Sequence, residues 1–259
     1  MSASKATARP DTANPVRLKI AVLVSGSGSN LQVLIDAMQS GELPIEIVGV
    51  ISNVKEAYAI TRAEQAGIDT AVLSHIASGD NAGKRMGIKT FERHAKAQLD
   101  SWQPDLIVLA GFMRVLSGDF IESAPAPMIN LHPSLLPNYK GLDTHARVLK
   151  SGERLHGCSI HVVTAELDAG QVLTQAMLSV TGNESAESLQ AKVQRLEHQL
   201  LPWTILLIAY GVIPASVFDQ KCLNENDAVS DAFDNGSATS NHVSLHCHLP
   251  PLPFKLWSQ

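Results

Sequence analysis

The sequence predicts an α/β fold: a mostly parallel sheet flanked by helices, extended in its C-terminal part by strands in mixed or antiparallel register. Three observations carry this. Short apolar runs alternate with helical patterns through residues 18–131, the signature of right-handed βαβ units and a parallel sheet. The first apolar run leads straight into Ser25-Gly26-Ser27-Gly28-Ser29-Asn30, a glycine-rich strand-to-helix junction. The second half then changes character, with alternating segments at Ser159–Val163 and Gln171–Val180 that suit strands of an antiparallel or mixed extension.

Taken in order, Leu18–Val24 is continuously apolar, as a strand buried on both faces must be. Leu31, Leu34, Ile35 and Met38 follow at helical spacing and place a helix over Leu31–Met38. Glu46–Ser52 is a second strand, Ala57–Gly67 a helix with a glycine stop, and Thr70–Leu73 a short third strand. Phe91–Leu99 is helical, Leu106–Ala110 is the fourth strand and Met128–Leu131 the fifth. Ser185–Ile208 is a long helix with Ser185 as N-cap and a stripe of Leu189, Val193, Leu196 and Leu200. The uncharged run Leu200–Phe218 approaches the length of a membrane span. Pro202, Gly211 and Pro214 punctuate it, so it is expected to be a buried helix followed by a short final strand. There is no internal repeat.

Composition narrows the class. With 259 residues, 45% hydrophobic and 17% charged, the chain can bury a sizeable core. A net charge of −5 offers no footprint for nucleic acid, which needs a basic patch, whereas a small phosphorylated substrate needs only a local positive site. Three dispersed cysteines, Cys158, Cys222 and Cys247, argue against a disulfide scaffold and for a reducing cytoplasm. Residues 1–16 lack the apolar core of a signal peptide and are expected to be a disordered tail; residues 17–218 form the folded domain. Residues 219–259 form a low-complexity tail, rich in Asn, Asp, Ser, Ala and Gly over Asn224–Asn241. His242, His246, Cys247 and His248 carry donors that suit zinc, but no second cluster with finger spacing accompanies them, and no metal is expected. The expected partners are small molecules, with neither nucleic acid nor membrane, and the chain is expected to be a monomer or homodimer.

The chemistry concentrates in Asn130-Leu131-His132-Pro133-Ser134-Leu135-Leu136-Pro137, followed by Gly141. Asn130 and His132 are one residue apart, so an extended backbone presents both on one side. Pro133 and Pro137 remove donors and stiffen the loop that follows. An amide and an imidazole at the carboxyl edge of a sheet, where ligands bind in open α/β folds, can stabilise an oxyanion. A turn whose Asn and His satisfy only local backbone groups remains an open alternative. In the glycine loop the third position of the dinucleotide fingerprint holds Leu31, and the second strand ends Ile51-Ser52-Asn53 without an acid for a ribose. A site for one phosphate fits, with a turn that needs glycine only for its φ as the alternative.

The motif Asn-Leu-His-Pro-Ser-Leu-Leu-Pro, with Leu167-Asp168 further on, resembles the folate-dependent formyltransferases over residues 17–215. The resemblance implies a Rossmann-like formyltransferase fold and 10-formyltetrahydrofolate as co-substrate. The glycine loop is similar to that of the members acting on glycinamide ribonucleotide in purine synthesis. It implies transfer of the formyl group to the amine of 5-phosphoribosyl-glycinamide, giving formylglycinamide ribonucleotide and tetrahydrofolate. Asn130, His132 and Asp168 are then catalytic, the Asp168 carboxylate raising the pKa of His132 and favouring its charged form. Gly26, Ser27, Gly28, Ser29 and Asn30 hold the phosphate, while Gln194 and Glu197 take the ribose hydroxyls. Met113, Arg114, Val115 and Leu116, with Asn130, Glu166 and Leu167, surround the folate. His145 and His161 match family histidines near the cleft and fit a structural role equally well. The chain departs from the family at Ala169 and Gln171, where glycine and proline are usual. The arginine that contacts the folate tail falls at Ile88, with Lys84, Arg85 and Lys89 nearby, and is left unassigned. Rival readings are another folate-dependent formyltransferase, a formyltetrahydrofolate hydrolase and, from a different class, a non-catalytic phosphate- or folate-binding module.

Overall fold

The apolar run Leu18–Val24 forms β1, with every residue from Ile20 to Val24 fully buried. It lies near the middle of a seven-stranded sheet of order β3-β2-β1-β4-β5-β6-β7. This computed structural model describes residue 15 and residues 17–74 and 87–218. Chain order runs β1, α1 (Ser29–Gln39), β2 (Ile45–Ser52), α2 (Tyr58–Gln65), β3 (Thr70–Val72), α3 (Ile88–Trp102) and β4 (Leu106–Leu109). It continues through α4 (Gly118–Ser123), β5 (Met128–His132), α5 (Thr144–Ser151), β6 (Leu155–Val162), β7 (Val172–Ser179) and α6 (Ala186–Ala209). Neighbouring strands from β3 to β5 pair in parallel, and β6 and β7 add antiparallel pairs. The architecture is the mostly parallel sheet with an antiparallel extension that the sequence predicts.

Period-2 alternation along each strand divides the core in two. Ala21 and Leu23 of β1, with Ile107, Leu109 and Met128, pack under Phe91, Ala95 and Leu99 of α3. Ile20, Val22 and Val24 face the opposite way, toward the layer of α1 and α6, whose Leu31, Leu34, Leu189 and Val193 are fully buried. Ser185 caps α6 as expected, its hydroxyl accepting from the Ser188 N–H at 3.2 Å.

Three readings are corrected. The short final strand after α6 is absent: Val212 and Ile213 donate to the Leu207 carbonyl at 2.9 and 3.2 Å, and a 3-10 turn follows at Ala215–Phe218. The helix terminus thus takes the donors that a strand would need. Two short helices, α4 and α5, were not legible, and β6 begins four residues earlier than the alternating segment Ser159–Val163 suggests. Among the described residues no helix is long and apolar enough to cross a membrane. The expected tails, residues 1–16 and 219–259 with His242, His246, Cys247 and His248, lie essentially outside the described residues, as do Lys84 and Arg85.

Candidate active site

The sheet order reverses between β1 and β4, since β1 leads outward to β2 while α3 returns the chain to β4 on the other side. Such a switch point opens a crevice at the carboxyl ends of the strands. The glycine loop leaves β1 there, the segment Gly111–Leu116 leaves β4, and β5 ends there with Asn130 and His132.

In the glycine loop the two glycines differ. Gly28 has φ +70°, and a Cβ on it would lie 2.6 Å from the Cβ of Ala59, so the backbone turn itself excludes a side chain. Gly26 is exposed and would meet nothing, which leaves its backbone open to a ligand. The Gly26 carbonyl accepts from the Ala59 N–H at 3.2 Å, and the Ser27 carbonyl from Arg62 Nε at 2.9 Å. Arg62 thereby brings a cation to the first turn of α1, adding to the positive end of the helix dipole. Helix α6 reaches the same turn: Gln194 Nε2 donates to Ser29 Oγ and Asn30 Nδ2 to Glu197 Oε2, each at 2.9 Å. Burial pushes the Glu197 carboxyl above its usual range, and the Asn30 bond opposes this. The six residues expected around one phosphoribosyl group from Ser27 onward are therefore contiguous. Ser25, at the start of the loop, donates to Asn53 Oδ1 at 2.6 Å.

Asn130, His132 and Asp168 lie together, linked through His161. The antiparallel register sets Asn130 opposite His161. The Val162 carbonyl can only accept, so His161 Nδ1 donates to it at 2.9 Å, and Asn130 Nδ2 lies 3.0 Å from His161 Nε2. His132 Nε2 likewise donates to the Tyr139 carbonyl at 3.0 Å. That leaves His132 Nδ1 facing Asp168 Oδ2 at 3.4 Å, a separation that accommodates a proton without forming a short hydrogen bond. Asp168 has φ +49° and accepts from the Gly141 N–H at 2.8 Å. The substitution of Ala169 for the usual glycine leaves this loop intact because the tight position is Gly170, where a Cβ would fall 1.8 Å from the Val162 carbonyl oxygen.

The electrostatics correct one expectation. Burial lowers the His132 pKa below 6.5; the bond to Tyr139 and the Asp168 charge raise it, but burial prevails. The resting imidazole is thus biased toward neutrality, not toward the charged form. For Asp168 burial pushes upward, yet the nearby His161 ring, the Gly141 amide bond and the facing His132 ring together hold the carboxyl below its usual range. His145 lines the cleft and is bonded at Nδ1 to His156 Nε2, 2.9 Å away; burial pushes His156 down to about 4.

Beside these groups lies a cleft of about 540 Å³. Its walls hold large apolar side chains that face solvent: Met113 is 70% exposed, Val115 64%, Leu142 74% and Leu167 52%. Such a concentration of exposed apolar surface around a cleft marks a ligand site. Leu116 is buried, and the Arg114 guanidinium lies 4.9 Å over the Phe91 ring, so the wall offers apolar side chains and backbone more than charge. Glu166 lines the mouth and pairs with Lys140 at 3.3 Å, an exposed contact worth little. Ile88 packs against the core, and Lys89 is exposed at the start of α3. Tyr139, Leu142 and Gln190 also belong to the site and were not singled out from sequence; Tyr139 acts through its backbone carbonyl, which leaves no residue-type signal. Among the described residues no cluster of three His, Cys, Asp or Glu side chains could hold a metal ion.

A sequence model of the formyl transferase family matches residues 18–205. The chain belongs to this family. It is 41% identical over 194 residues to the phosphoribosylglycinamide formyltransferase of Escherichia coli K12, covering 75% of this chain and 88% of that one. It is 38% identical over 199 residues to the bovine trifunctional purine biosynthetic protein adenosine-3, covering 77% of this chain and 19% of that larger protein. Among solved structures, the phosphoribosylglycinamide formyltransferase of Coxiella burnetii superposes with a TM-score of 0.67 at 45% identity, covering 75% of this chain and 88% of that one. The formyltransferase fold and a formyltransferase activity follow for this chain.

Proposed function

We propose that the chain transfers the formyl group of 10-formyltetrahydrofolate to the amine of 5-phosphoribosyl-glycinamide, in the cytoplasm, within a catalytic domain spanning residues 17–218. The observation that supports this reading is the link between two differently built subsites: Met113 of the apolar cleft wall donates its N–H to Ser25 Oγ of the glycine loop at 2.7 Å, while Asn130, His132 and Asp168 line the cleft. The apolar walls suit a flat pterin, with Met113–Leu116 and Leu167 flanking it. The first turn of α1 suits a phosphate, and Glu197 suits ribose hydroxyls. No metal is required.

In this reading the chain holds amine and formyl carbon together, which supplies much of the acceleration. Asn130 donates to the oxygen that becomes negative on attack, and the positive charge of a protonated His132 beside it adds electrostatic stabilisation. The gap between His132 Nδ1 and Asp168 Oδ2 receives the proton lost by the attacking amine. The same pair returns that proton to the departing folate nitrogen, so no net proton is exchanged with solvent. The relatives' names support glycinamide ribonucleotide as acceptor over tRNA or water.

The test is a substrate panel. Purified protein is expected to consume the ribonucleotide and 10-formyltetrahydrofolate one for one, releasing tetrahydrofolate. Formylation of methionyl-tRNA instead, or hydrolysis without an acceptor, would overturn the assignment, and no turnover with ligand binding intact would favour a binding module.

A further inference from the structure

Ser25 ties together the ends of three neighbouring strands. It follows β1 directly and precedes the exposed Gly26 of the glycine loop. Its backbone N–H donates to the Gly111 carbonyl at 3.1 Å, beyond the end of β4. Its hydroxyl donates to Oδ1 of buried Asn53, beyond β2, at 2.6 Å and accepts from the Met113 N–H at 2.7 Å. A hydroxyl has one proton, and here it is committed to Asn53. Ser25 is therefore a strut and not a donor to a phosphate.

The segment that this strut holds is the apolar wall of the cleft. Met113–Leu116 follows Gly111, whose φ of +72° makes a turn with open space around it. At its far end the Ser117 N–H and hydroxyl donate to Glu92 of α3 at 2.6 and 2.9 Å. One end of the wall is thus fixed to a helix of the core. The other end is fixed, through two hydrogen bonds of Ser25, to the loop on which the ribonucleotide phosphate sits in the function proposed above.

We infer that Ser25 is a positioning residue that couples the two substrate subsites, so that ribonucleotide bound at the glycine loop tightens the cleft on the folate. This inference rests on the formyl-transfer reading for the identity of the two ligands. A ligand that orders residues 26–30 also orders Met113 through Ser25, and the second ligand then loses less conformational freedom on binding. Because coupling between sites is reciprocal, the folate must strengthen ribonucleotide binding by the same factor.

The experiment measures the dissociation constant of tetrahydrofolate, which has no formyl group to transfer, with and without saturating 5-phosphoribosyl-glycinamide. Wild-type protein is expected to bind tetrahydrofolate about fivefold or more tightly in the presence of the ribonucleotide. Ser25→Ala is expected to reduce that ratio below about twofold while leaving ribonucleotide affinity alone, and Ser25→Thr, which keeps the hydroxyl, to preserve it. Hydrogen exchange at the Met113 amide is expected to slow on ribonucleotide binding in wild type and Ser25→Thr but not in Ser25→Ala. A wild-type ratio retained in Ser25→Ala, or no ratio in a wild-type protein that binds both ligands, overturns the coupling and leaves the formyl-transfer reading standing. Loss of ribonucleotide binding itself in Ser25→Ala overturns it in favour of a direct phosphate contact. A wild-type protein that binds neither ligand overturns both.

Discussion

Asp168 carries two opposed demands. As a buried acceptor of the Gly141 N–H it helps hold the loop, and as a charge 3.4 Å from His132 Nδ1 it keeps the imidazole pKa from falling further. Asp168→Asn preserves size and one acceptor but removes the charge. The pKa of His132, already below 6.5, is expected to fall further in this variant. Formyl transfer is expected to drop by roughly two orders of magnitude or more, as for loss of a positioned acid–base partner. Asp168 is only 9% exposed, so the exchange also destabilises, by about 1–2 kcal/mol at neutral pH. The sign follows from its depressed carboxyl: that stabilisation is present above the ordinary pKa of 3.8 and is lost as pH falls through the folded value. The two proteins should therefore converge in stability in strong acid. An NMR titration of His132 beside single-turnover rates checks the proposal, and an unchanged titration with near-normal transfer would refute the role given to Asp168.

At the scale of elements, the glycine loop and the first turn of α1 make two glycines with different duties. Gly28→Ala puts a Cβ into a left-handed backbone and against Ala59, for a loss of about 2–4 kcal/mol. Gly26→Val changes little in the fold, since nothing lies within 4 Å of its Cβ, but it blocks backbone approach. It is expected to weaken ribonucleotide binding tenfold or more while sparing the folate; thermal melting and calorimetry of both variants check this, and equal loss of both ligands with Gly26→Val would make the loop purely structural. The sequence motif marked this loop but could not separate the two glycines, because the difference lies in where α2 packs. The same limit explains the other misses. The strands of the parallel core were legible because burial on both faces leaves unbroken apolar runs such as Leu18–Val24. Helix α5 buries only Thr144 and Val148 and starts at Asp143 without a side-chain cap, so neither stripe nor capping signal is present. His161 was legible only as a family match, because its contact with Asn130 comes from the register of β5 against β6, a pairing between residues 31 apart. At the departure from the family pattern the close approach to Val162 is made by Gly170 and not by Ala169.

At the scale of the whole molecule, buried histidines give the stability a direction in pH. Burial lowers the pKa of His132, His145, His156 and His198 below 6.5, with His156 pushed to about 4. A group with a lowered folded pKa binds its proton first in the unfolded chain. Stability from these histidines is therefore complete above 6.5 and declines as pH falls toward their folded values. For His156, 1% exposed, the interval from 6.5 to about 4 corresponds to a loss on the order of 3 kcal/mol. That is a large part of the roughly 5–15 kcal/mol that holds a domain folded. Glu197, raised by burial, acts the opposite way, since the folded carboxyl takes up its proton before the unfolded one. The depressed carboxyls of Asp168 and Glu184 add to the loss only at lower pH, below their ordinary values. Comparing wild type with His156→Gln cancels these shared contributions. Glutamine retains a hydrogen-bonding group toward His145 Nδ1 and cannot be protonated. Urea unfolding at pH 7 and pH 4.5 is expected to show a smaller fall in stability for His156→Gln than for wild type, by about 2 kcal/mol or more. Parallel losses in the two proteins would mean that His156 takes up its proton in the folded state at an ordinary pH, and that the acid sensitivity arises at the other histidines.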